Sequence, residues 1–156
     1  MKGGRSLGKL VVGGGLVGLT TLAQAQTPLC SGQHPGDPQL ISGTASCLYQ
    51  EVGGVGRTVI SLGSDSVIHW EHFGLAQPGS SLVFENVTPG SADLVLNRVL
   101  GGNAGVGNST HRIAGSIEYA GGELVVVNPN SRLLVEGKVT AESMLLSTHD
   151  LSLINI

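Results

Sequence analysis

From Thr58 onward the sequence repeats one pattern, in which a short aliphatic run is followed by turn-forming residues. No run keeps the apolar spacing of a helix for three turns, and each has the length of a single strand. Glycine, asparagine and proline between the runs favour tight turns. The pattern therefore predicts an all-β chain of many short strands. The runs are Val59-Ile60, Val67-Ile68, Leu82 to Phe84, Leu94 to Leu96, Ile113 to Ile117, Leu124 to Val127, Leu133 to Val135, Leu145-Leu146 and Leu151 to Ile156, and the turn formers are Pro78-Gly79, Pro89-Gly90, Gly101-Gly102-Asn103, Gly121-Gly122 and Asn128-Pro129-Asn130.

Composition excludes two other classes. The chain has 156 residues, of which 25 are glycine, 40% are hydrophobic and 12% are charged. A disordered chain would be less hydrophobic and more highly charged. A helical bundle would be rich in Ala, Glu, Lys and Leu, whereas Val, Leu, Ser, Thr, Asn and Gly dominate here. The length suits one domain with its own core.

Strands at this spacing are compatible with a sandwich, a barrel or a solenoid, and two features favour the solenoid. Small residues and Asn at the corners suit a coil that turns sharply and stacks on the next coil. Aliphatic runs with few aromatics suit strands buried along one continuous core. In the run from Ile113 to Ile117 the two isoleucines share a face, and Gly115 allows close packing of the backbone.

The N-terminus has the pattern of an export signal. Lys2, Arg5 and Lys9 precede an apolar stretch from Leu10 to Leu22, and Ala23-Gln24-Ala25 matches the cleavage pattern of signal peptidase. We expect residues 1–25 to be removed, because the stretch is too short to span a bilayer. The mature chain then keeps five basic residues against eleven acidic ones, a net charge of −6. This charge, without a basic stripe, argues against nucleic acid as a partner.

Residues 26–66 are rich in turn formers and are predicted to be a β-rich N-terminal cap. They contain the only two cysteines, Cys30 and Cys47. In an oxidising compartment such a pair is more often a disulfide than a metal site, although two free thiols are the alternative.

The sequence predicts no metal site, no cofactor and no catalytic activity. His69 and His72 flank Glu71, but residues three apart in a strand point to opposite faces. Trp70 shares a face with Ile68 and is expected in the core, where its indole N–H needs a partner. Acidic residues are scattered singly, and Thr148-His149-Asp150 lacks an activated nucleophile.

Four segments resemble the haemagglutination-activity domain of two-partner-secretion exoproteins, a family related to filamentous haemagglutinin. Val67 to Phe73 resembles the family's Ile-x-Trp-x-x-Phe strand, and Asn97-Arg98-Val99 its Asn-Arg-Val motif. Asn128-Pro129-Asn130 matches its Asn-Pro-Asn motif, and Leu146 to Leu151 resembles its Ser-Thr-x-Asp ending. The matches occur in the family's order over some ninety residues, whereas residues 26–66 match loosely.

The resemblance implies a right-handed parallel β-helix with an N-terminal cap, over residues 26–156. It implies export to the periplasm and then through a dedicated outer-membrane β-barrel transporter to the cell surface or medium. The transporter would recognise the domain while it is unfolded or partly folded. A surface adhesin or carbohydrate-binding module that contacts a host-cell surface or glycan is the alternative. A lyase-like β-helical enzyme and a sandwich with chance motif matches rank lower.

Asn97, Arg98, Val99, Asn128, Pro129 and Asn130 are the candidate recognition residues implied by the resemblance. The alternative is that they shape turns, because proline fixes its own φ and asparagine bonds local backbone. Ser131 departs from the family, which usually has Gly or Leu there. The turn at Asn128-Pro129-Asn130 can therefore have a geometry that differs from the family's. Family members are much longer, and an unpaired apolar strand edge near the end of this chain would favour edge-to-edge self-association.

Overall fold

The computed structural model describes residues 27–30, 34–101 and 110–148, and their regular elements are all strands. The prediction of an all-β chain is confirmed for these residues. Residues 1–26, Gly102-Asn103 and residues 149–156, to which predictions were attached, lie outside them. The strands are β1 (Thr27–Pro28), β2 (Gln39–Ser42), β3 (Ala45–Val52), β4 (Val55–Leu62), β5 (Ser66–Trp70), β6 (Ser81–Asn86), β7 (Leu94–Val99), β8 (Thr110–Ile113), β9 (Ser116–Val127), β10 (Arg132–Val135) and β11 (Lys138–Ser147).

Parallel pairing joins most of these strands to strands that follow much later in the sequence. Ser81 of β6 lies between Arg57 of β4 and Ser116 of β9, which in turn pairs with Lys138 of β11. A second parallel series runs from β5 to β7 and on to β9. The strands β8 and β10 form a separate parallel pair. Parallel neighbours require long connections, and every two strands that pair in parallel here are separated in the sequence by at least one other strand.

Strand β9 belongs to both series, and this corrects the prediction of a turn at Gly121-Gly122. The two glycines lie inside the twelve-residue strand. Residues before them pair with β6 and residues after them pair with β7. A Cβ at Gly122 would lie 2.3 Å from the carbonyl oxygen of Asp93, so the neighbouring backbone approaches too closely for a side chain. The strand bends without ending, and the main sheet curls around the core until it nearly closes.

Antiparallel pairing is confined to the first five strands. β3 and β4 form a hairpin across Gly53-Gly54, whose φ angles of 62° and 80° suit a two-residue turn that matches the strand twist. β2 pairs with both β1 and β5 in the antiparallel sense. The main sheet therefore ends at β1 and β3, while β11 lies beside β9 at the other side of the stack.

Inward side chains of successive parallel strands form columns, and these columns make the core. Most residues in the columns are aliphatic or aromatic, and full burial of one such side chain contributes about 1.5–3 kcal/mol; Thr58 and Asn97 are buried polar members. The columns are Thr58, Leu82, Ile117 and Val139; Ile60, Phe84, Tyr119 and Ala141; and Ile68, Asn97, Val126 and Leu146.

The run from Ile113 to Ile117 was predicted as one strand, and this prediction is wrong. β8 ends at Ile113 and β9 begins at Ser116. Both isoleucines are nevertheless buried, as expected. The expected close approach at Gly115 is also confirmed, because a Cβ there would lie 2.0 Å from the carbonyl oxygen of Ser80. The glycine lies between β8 and β9, where it presses on the backbone at Ser80.

Candidate functional site

The three central motif segments meet at one corner of the molecule. The parallel register pairs Trp70 with Val99 and Arg98 with Val127, so β5, β7 and β9 end side by side. The backbone N–H of Leu100 donates to the carbonyl of Trp70 over 2.8 Å. The next layer is more loosely joined, since the Asn130 amide donates to the Leu100 carbonyl over 3.5 Å. We call residues 70–73, 97–101 and 128–131 the motif corner.

Asn97 points into the core. Its side chain is fully buried, and its Oδ1 accepts a 2.9 Å hydrogen bond from the indole Nε1–H of Trp70. Its Nδ2 donates a longer bond, 3.4 Å, to the carbonyl of Val125. The prediction that Trp70 lies in the core is confirmed, and Asn97 is the partner that its indole requires. Without Asn97 a buried N–H would lose its acceptor, which costs about 1–3 kcal/mol.

Arg98 and Val99 face opposite sides of β7. Val99 is completely buried beside Trp70, whereas Arg98 is half-buried on the outer face. Arg98 pairs in register with His69 of β5. Burial lowers the pKa of His69, and the charge of Arg98 lowers it further. Of the Asn-Arg-Val motif, only the arginine side chain is partly accessible in the folded chain.

The Asn128-Pro129-Asn130 segment forms the turn that follows β9. Asn128 is buried, its Oδ1 accepts a hydrogen bond from the Ser131 hydroxyl, and its backbone N–H donates to the Ser147 carbonyl over 2.8 Å. Pro129 is half-buried and Asn130 is exposed. Asn130 does not need the left-handed conformation, because Asp37 is the one described non-glycine residue with positive φ. Ser131 therefore supports the turn with its side chain, where a glycine would leave the Asn128 oxygen without that donor.

His111 contacts the motif corner, although the sequence analysis did not select it. It is buried on β8, where its Nδ1 accepts the Phe73 backbone N–H over 3.3 Å. Its Nε2 lies 3.0 Å from the Gly101 carbonyl, so this nitrogen carries the hydrogen. The alternation of His111 with Ile113 places both on the inner face of the strand and was the available clue. The imidazole ties the loop after β5 to the loop after β7.

The structure changes the reasoning about His69 and His72. β5 ends at Trp70, so His72 lies beyond the strand, and the rule of opposite faces does not apply to it. Its ring centroid lies 6.1 Å from that of His111, whose two nitrogens are already engaged. In the described part of the chain no three His, Cys, Asp or Glu side chains form a group that could hold a metal ion. That the whole chain binds no metal remains a prediction.

Beside the motif corner, the segment that contains Cys30 and His34 closes the side of the core at which β1 and β3 lie. Cys30 and Cys47 form a disulfide that fastens the segment to β3. His34 packs edge-on against Trp70, with ring centroids 5.6 Å apart, and its Nε2 lies 2.9 Å from the Thr58 hydroxyl. Burial lowers the pKa of His34 to about 4, although the charge of Asp37 acts in the opposite direction. The ring is therefore neutral at pH 7.

Comparison with known proteins adds a likeness of fold. No protein-family model matches the sequence, and no curated protein matches it. Among solved structures, the chain is similar to the HMW1 secretion domain from Haemophilus influenzae, with a TM-score of 0.56 and 24% sequence identity. The match covers 74% of this chain and 27% of that one. At this identity the likeness shows the fold, and the chain spans about a quarter of the length of the matched protein.

In the part of the chain that the structure describes, no helix is long and apolar enough to cross a membrane.

Proposed function

We propose that this chain is the secretion domain of a two-partner-secretion exoprotein. It folds as a right-handed parallel β-helix with an N-terminal cap. A dedicated outer-membrane β-barrel transporter recognises it in the periplasm and passes it to the cell surface or medium. The domain acts as an address for export and carries no active site or cofactor of its own.

The pairing pattern supports the β-helical part of this proposal. Successive strands of each parallel series lie one coil apart, and their inward side chains stack in columns. Glycines stand where corners of neighbouring coils touch, as at Gly115 and Gly122. The likeness to a domain whose printed name is a secretion domain agrees with this architecture.

The observation that carries the functional proposal is the motif corner. Three segments that resemble one family in sequence lie far apart along the chain, yet they contact one another in three dimensions. Chance matches scattered over a surface would have no reason to share hydrogen bonds. The segments therefore act together, either in recognition or in forming the fold that recognition requires.

The burial of the motif residues supports recognition before the chain has folded. Asn97, Val99 and Asn128 are at most 1% exposed, so a partner cannot contact them once the chain has folded. We propose that the transporter binds the motif before folding and that folding then hides it. Such a sequence of events makes export directional, because the folded domain no longer presents the same side chains to the periplasmic side.

The test separates recognition from stability by comparing buried Asn97 with Asn86, a half-buried asparagine whose side chain also makes hydrogen bonds. Asn86 lies outside the motifs and has a comparable role, since its Nδ2 donates to the Ala92 carbonyl over 2.8 Å and its Oδ1 accepts from the Tyr119 hydroxyl. Asn97→Ala should destabilise the fold by about 1–3 kcal/mol, and Asn86→Ala should cost less because its side chain is partly exposed. Export would be measured as protein in the medium, with and without a co-expressed partner barrel.

We expect barrel-dependent export that Asn97→Ala reduces strongly and Asn86→Ala does not. Asn130→Ala, at an exposed position, should reduce export with little change in the unfolding midpoint. Losses of export that follow the two variants' losses of stability would assign Asn97 a structural role alone. Export that ignores the barrel would overturn the secretion proposal.

A surface adhesin or glycan-binding module is the second candidate, and one groove favours it. The groove has a volume of about 190 Å³ and is lined by His34, Tyr49, Glu51 and Gln77 among others. An aromatic ring beside hydrogen-bonding groups is a typical arrangement for binding small polar ligands. Agglutination of host cells that Gln77→Ala abolishes, in protein that is exported without a partner barrel, would favour this candidate.

A further inference from the structure

A groove lies where the interior of the strand stack ends beside the β3–β4 hairpin. It has a volume of about 190 Å³ and is bounded by β3, β4, the residues around His34 and the loop between β5 and β6. Glu51 lines this groove, and its alternation with Tyr49 and Cys47 places the carboxylate on the inward face of β3. The inward face of this strand thus changes from core side chains to a charged one at the place where the core ends.

Small residues keep the groove open. Gly56 and Ser80 precede by two positions the paired core residues Thr58 and Leu82, and the backbone N–H of Gly56 donates to the Ser80 hydroxyl oxygen over 3.3 Å. A Cβ at Gly56 would lie 3.1 Å from the ring of Tyr49, so the glycine lets this ring lie against the backbone of β4. A larger side chain at Gly56 would displace the aromatic wall of the groove.

Ring contacts and hydrogen bonds hold the walls of the groove in place. The rings of His34 and Tyr49 pack edge to face with their centroids 4.8 Å apart, and Nε2 of His34 lies 2.9 Å from the Thr58 hydroxyl. In the loop between β5 and β6, the backbone N–H of Leu75 donates to the carbonyl of Arg112 over 2.8 Å. The groove is therefore preformed, and a ligand that enters it does not have to order its walls.

Glu51 determines the charge of the groove. Among the lining residues that the structure describes, it is the one that is charged at pH 7, because burial lowers the pKa of His34 to about 4. Arg57 belongs to the same hairpin, but its alternation with Thr58 places it on the outer face of β4. The Tyr49 hydroxyl donates to Oε2 of Glu51 over 2.8 Å and fixes the carboxylate beside the ring. The groove therefore favours a ligand with a positively charged donor.

The other lining groups favour a ligand that carries hydroxyl groups on a ring. The hydroxyl oxygen of Tyr49 can accept a further hydrogen bond, and the side-chain amide of Gln77 both donates and accepts. The half-buried ring of Tyr49 offers a face on which apolar C–H groups or a cation can pack. The volume of about 190 Å³ equals that of about six water molecules, which is the size of one six-membered sugar ring.

We propose that this groove binds a hexosamine whose ammonium group contacts Glu51 and whose sugar ring lies against Tyr49. The inference rests on the glycan-binding role given above as the second candidate function, and it names the class of sugar. It does not depend on a transporter.

The first test is a titration of the full purified chain with glucosamine, followed by the amide chemical shifts in solution NMR. We expect shifts in the β3–β4 hairpin and in residues 74–80 that saturate with a Kd on the order of 1 mM, because so small a ligand makes few contacts. Glucose and N-acetylglucosamine lack the positive charge and should bind about three- to tenfold more weakly. Equal binding of the three sugars, or no saturable shifts up to about 100 mM, would overturn the proposal.

Glu51→Gln should lower the affinity for glucosamine to that for glucose, again by about three- to tenfold. Glu85→Gln is the matched control, because Glu85 is also an exposed strand glutamate that accepts a hydroxyl hydrogen bond, from Ser61 over 2.8 Å, but it lies outside this groove. It should leave the affinity unchanged. Equal losses in the two variants would mean that glucosamine responds to the net charge of the chain, and the proposal would be wrong. Circular dichroism checks the fold of both variants.

Methylamine separates recognition of the sugar from recognition of the charge. It carries the ammonium group without the ring and should bind more weakly than glucosamine. Methylamine that binds as tightly as glucosamine would show that the groove selects a cation alone, which contradicts the proposed class of ligand.

The outcome is independent of the export assay. A chain that is exported through the partner barrel and does not bind glucosamine would overturn this inference and leave the secretion proposal intact. A chain that binds glucosamine through Glu51 and is exported without the barrel would do the reverse.

Discussion

The two sides of the strand stack are closed in different ways, although the same parallel ladder runs between them. On the side of β1 and β3, antiparallel strands, a disulfide and the ring of His34 cover Trp70 and Phe73, which are at most 2% exposed. On the side of β11, Leu146 at the end of one column and Met144 beside it are 38% and 48% exposed. In a parallel ladder, the outermost strand leaves backbone hydrogen-bonding groups unpaired. Each side of the stack therefore needs a cap or a partner that covers these groups.

This difference in burial indicates where the stability of the chain is concentrated. Burial, aromatic contacts and a covalent link coincide near Trp70, whereas β10 and β11 depend on one-sided packing. Local stability follows the density of buried apolar contacts, so we expect β11 to exchange its amide hydrogens faster than β4. Four measurements test this difference in stability between the two sides.

The largest difference in stability is expected when one apolar side chain on each side is shortened to alanine. Trp70→Ala removes the largest fully buried side chain and its bond to Asn97, and should cost about 3–5 kcal/mol. Met144→Ala, at a position that is 48% exposed, should cost about 1 kcal/mol or less. Denaturant unfolding of both variants gives the comparison, and equal losses would show that the two sides are equally well packed.

Removing the disulfide weakens the covered side specifically. Cys30→Ser with Cys47→Ser opens a covalent loop, and in the chain-entropy model this costs about 3 kcal/mol. Thermal unfolding of the double variant and of the reduced wild-type chain should agree. Hydrogen exchange should accelerate first around Trp70 and β3, while exchange in β11 changes little. Uniform acceleration along the chain would mean that the two sides do not open independently.

The pH dependence of stability depends on His34. Its pKa is about 4 in the folded chain and near 6.5 when unfolded, so the unfolded chain binds more protons between these values. Stability is therefore complete above pH 6.5 and falls as pH drops through 4. We expect a loss of about 1–2 kcal/mol, less than the full shift implies because the ring is partly in contact with water.

His34→Gln should flatten this dependence, and unfolding midpoints at pH 7 and pH 4.5 provide the measurement. His69→Gln tests the second histidine whose pKa is lowered, so any acid sensitivity that remains in His34→Gln should fall further when both residues are replaced. A wild-type slope that survives in His34→Gln would assign the acid sensitivity to another group.

The smallest effect on stability is expected at the ion pair between Arg112 of β8 and Glu136, which follows β10. Both side chains are about half exposed, at 51% and 42%. Exposed ion pairs contribute about 0–1 kcal/mol, so Glu136→Gln should change stability by less than about 0.5 kcal/mol, with little dependence on salt. A larger loss would mean that the pair holds the corner between β8 and β10 in place.

Much of the candidate site could be predicted as a set of residues, but the roles of its members could not. The motifs selected Asn97, Asn128 and Asn130 as residues of one functional unit. Nothing local indicates that Asn97 faces inward toward Trp70, twenty-seven residues earlier, because the contact depends on the parallel register of β5 and β7. His111 was missed for the same reason, since its two partners lie on separate loops.

The sequence by itself determined the all-β class, the core position of Trp70 with its need for a partner, and the close approach at Gly115. These follow from strand alternation, the desolvation of polar groups and the size of glycine, which are local properties. Only the tertiary structure decided that Gly121-Gly122 bends a strand without ending it, that Ser131 supports Asn128, and that the two sides of the stack differ. Those outcomes depend on which distant backbone lies alongside, and this is set by the stacking of strands that are twenty or more residues apart in the sequence.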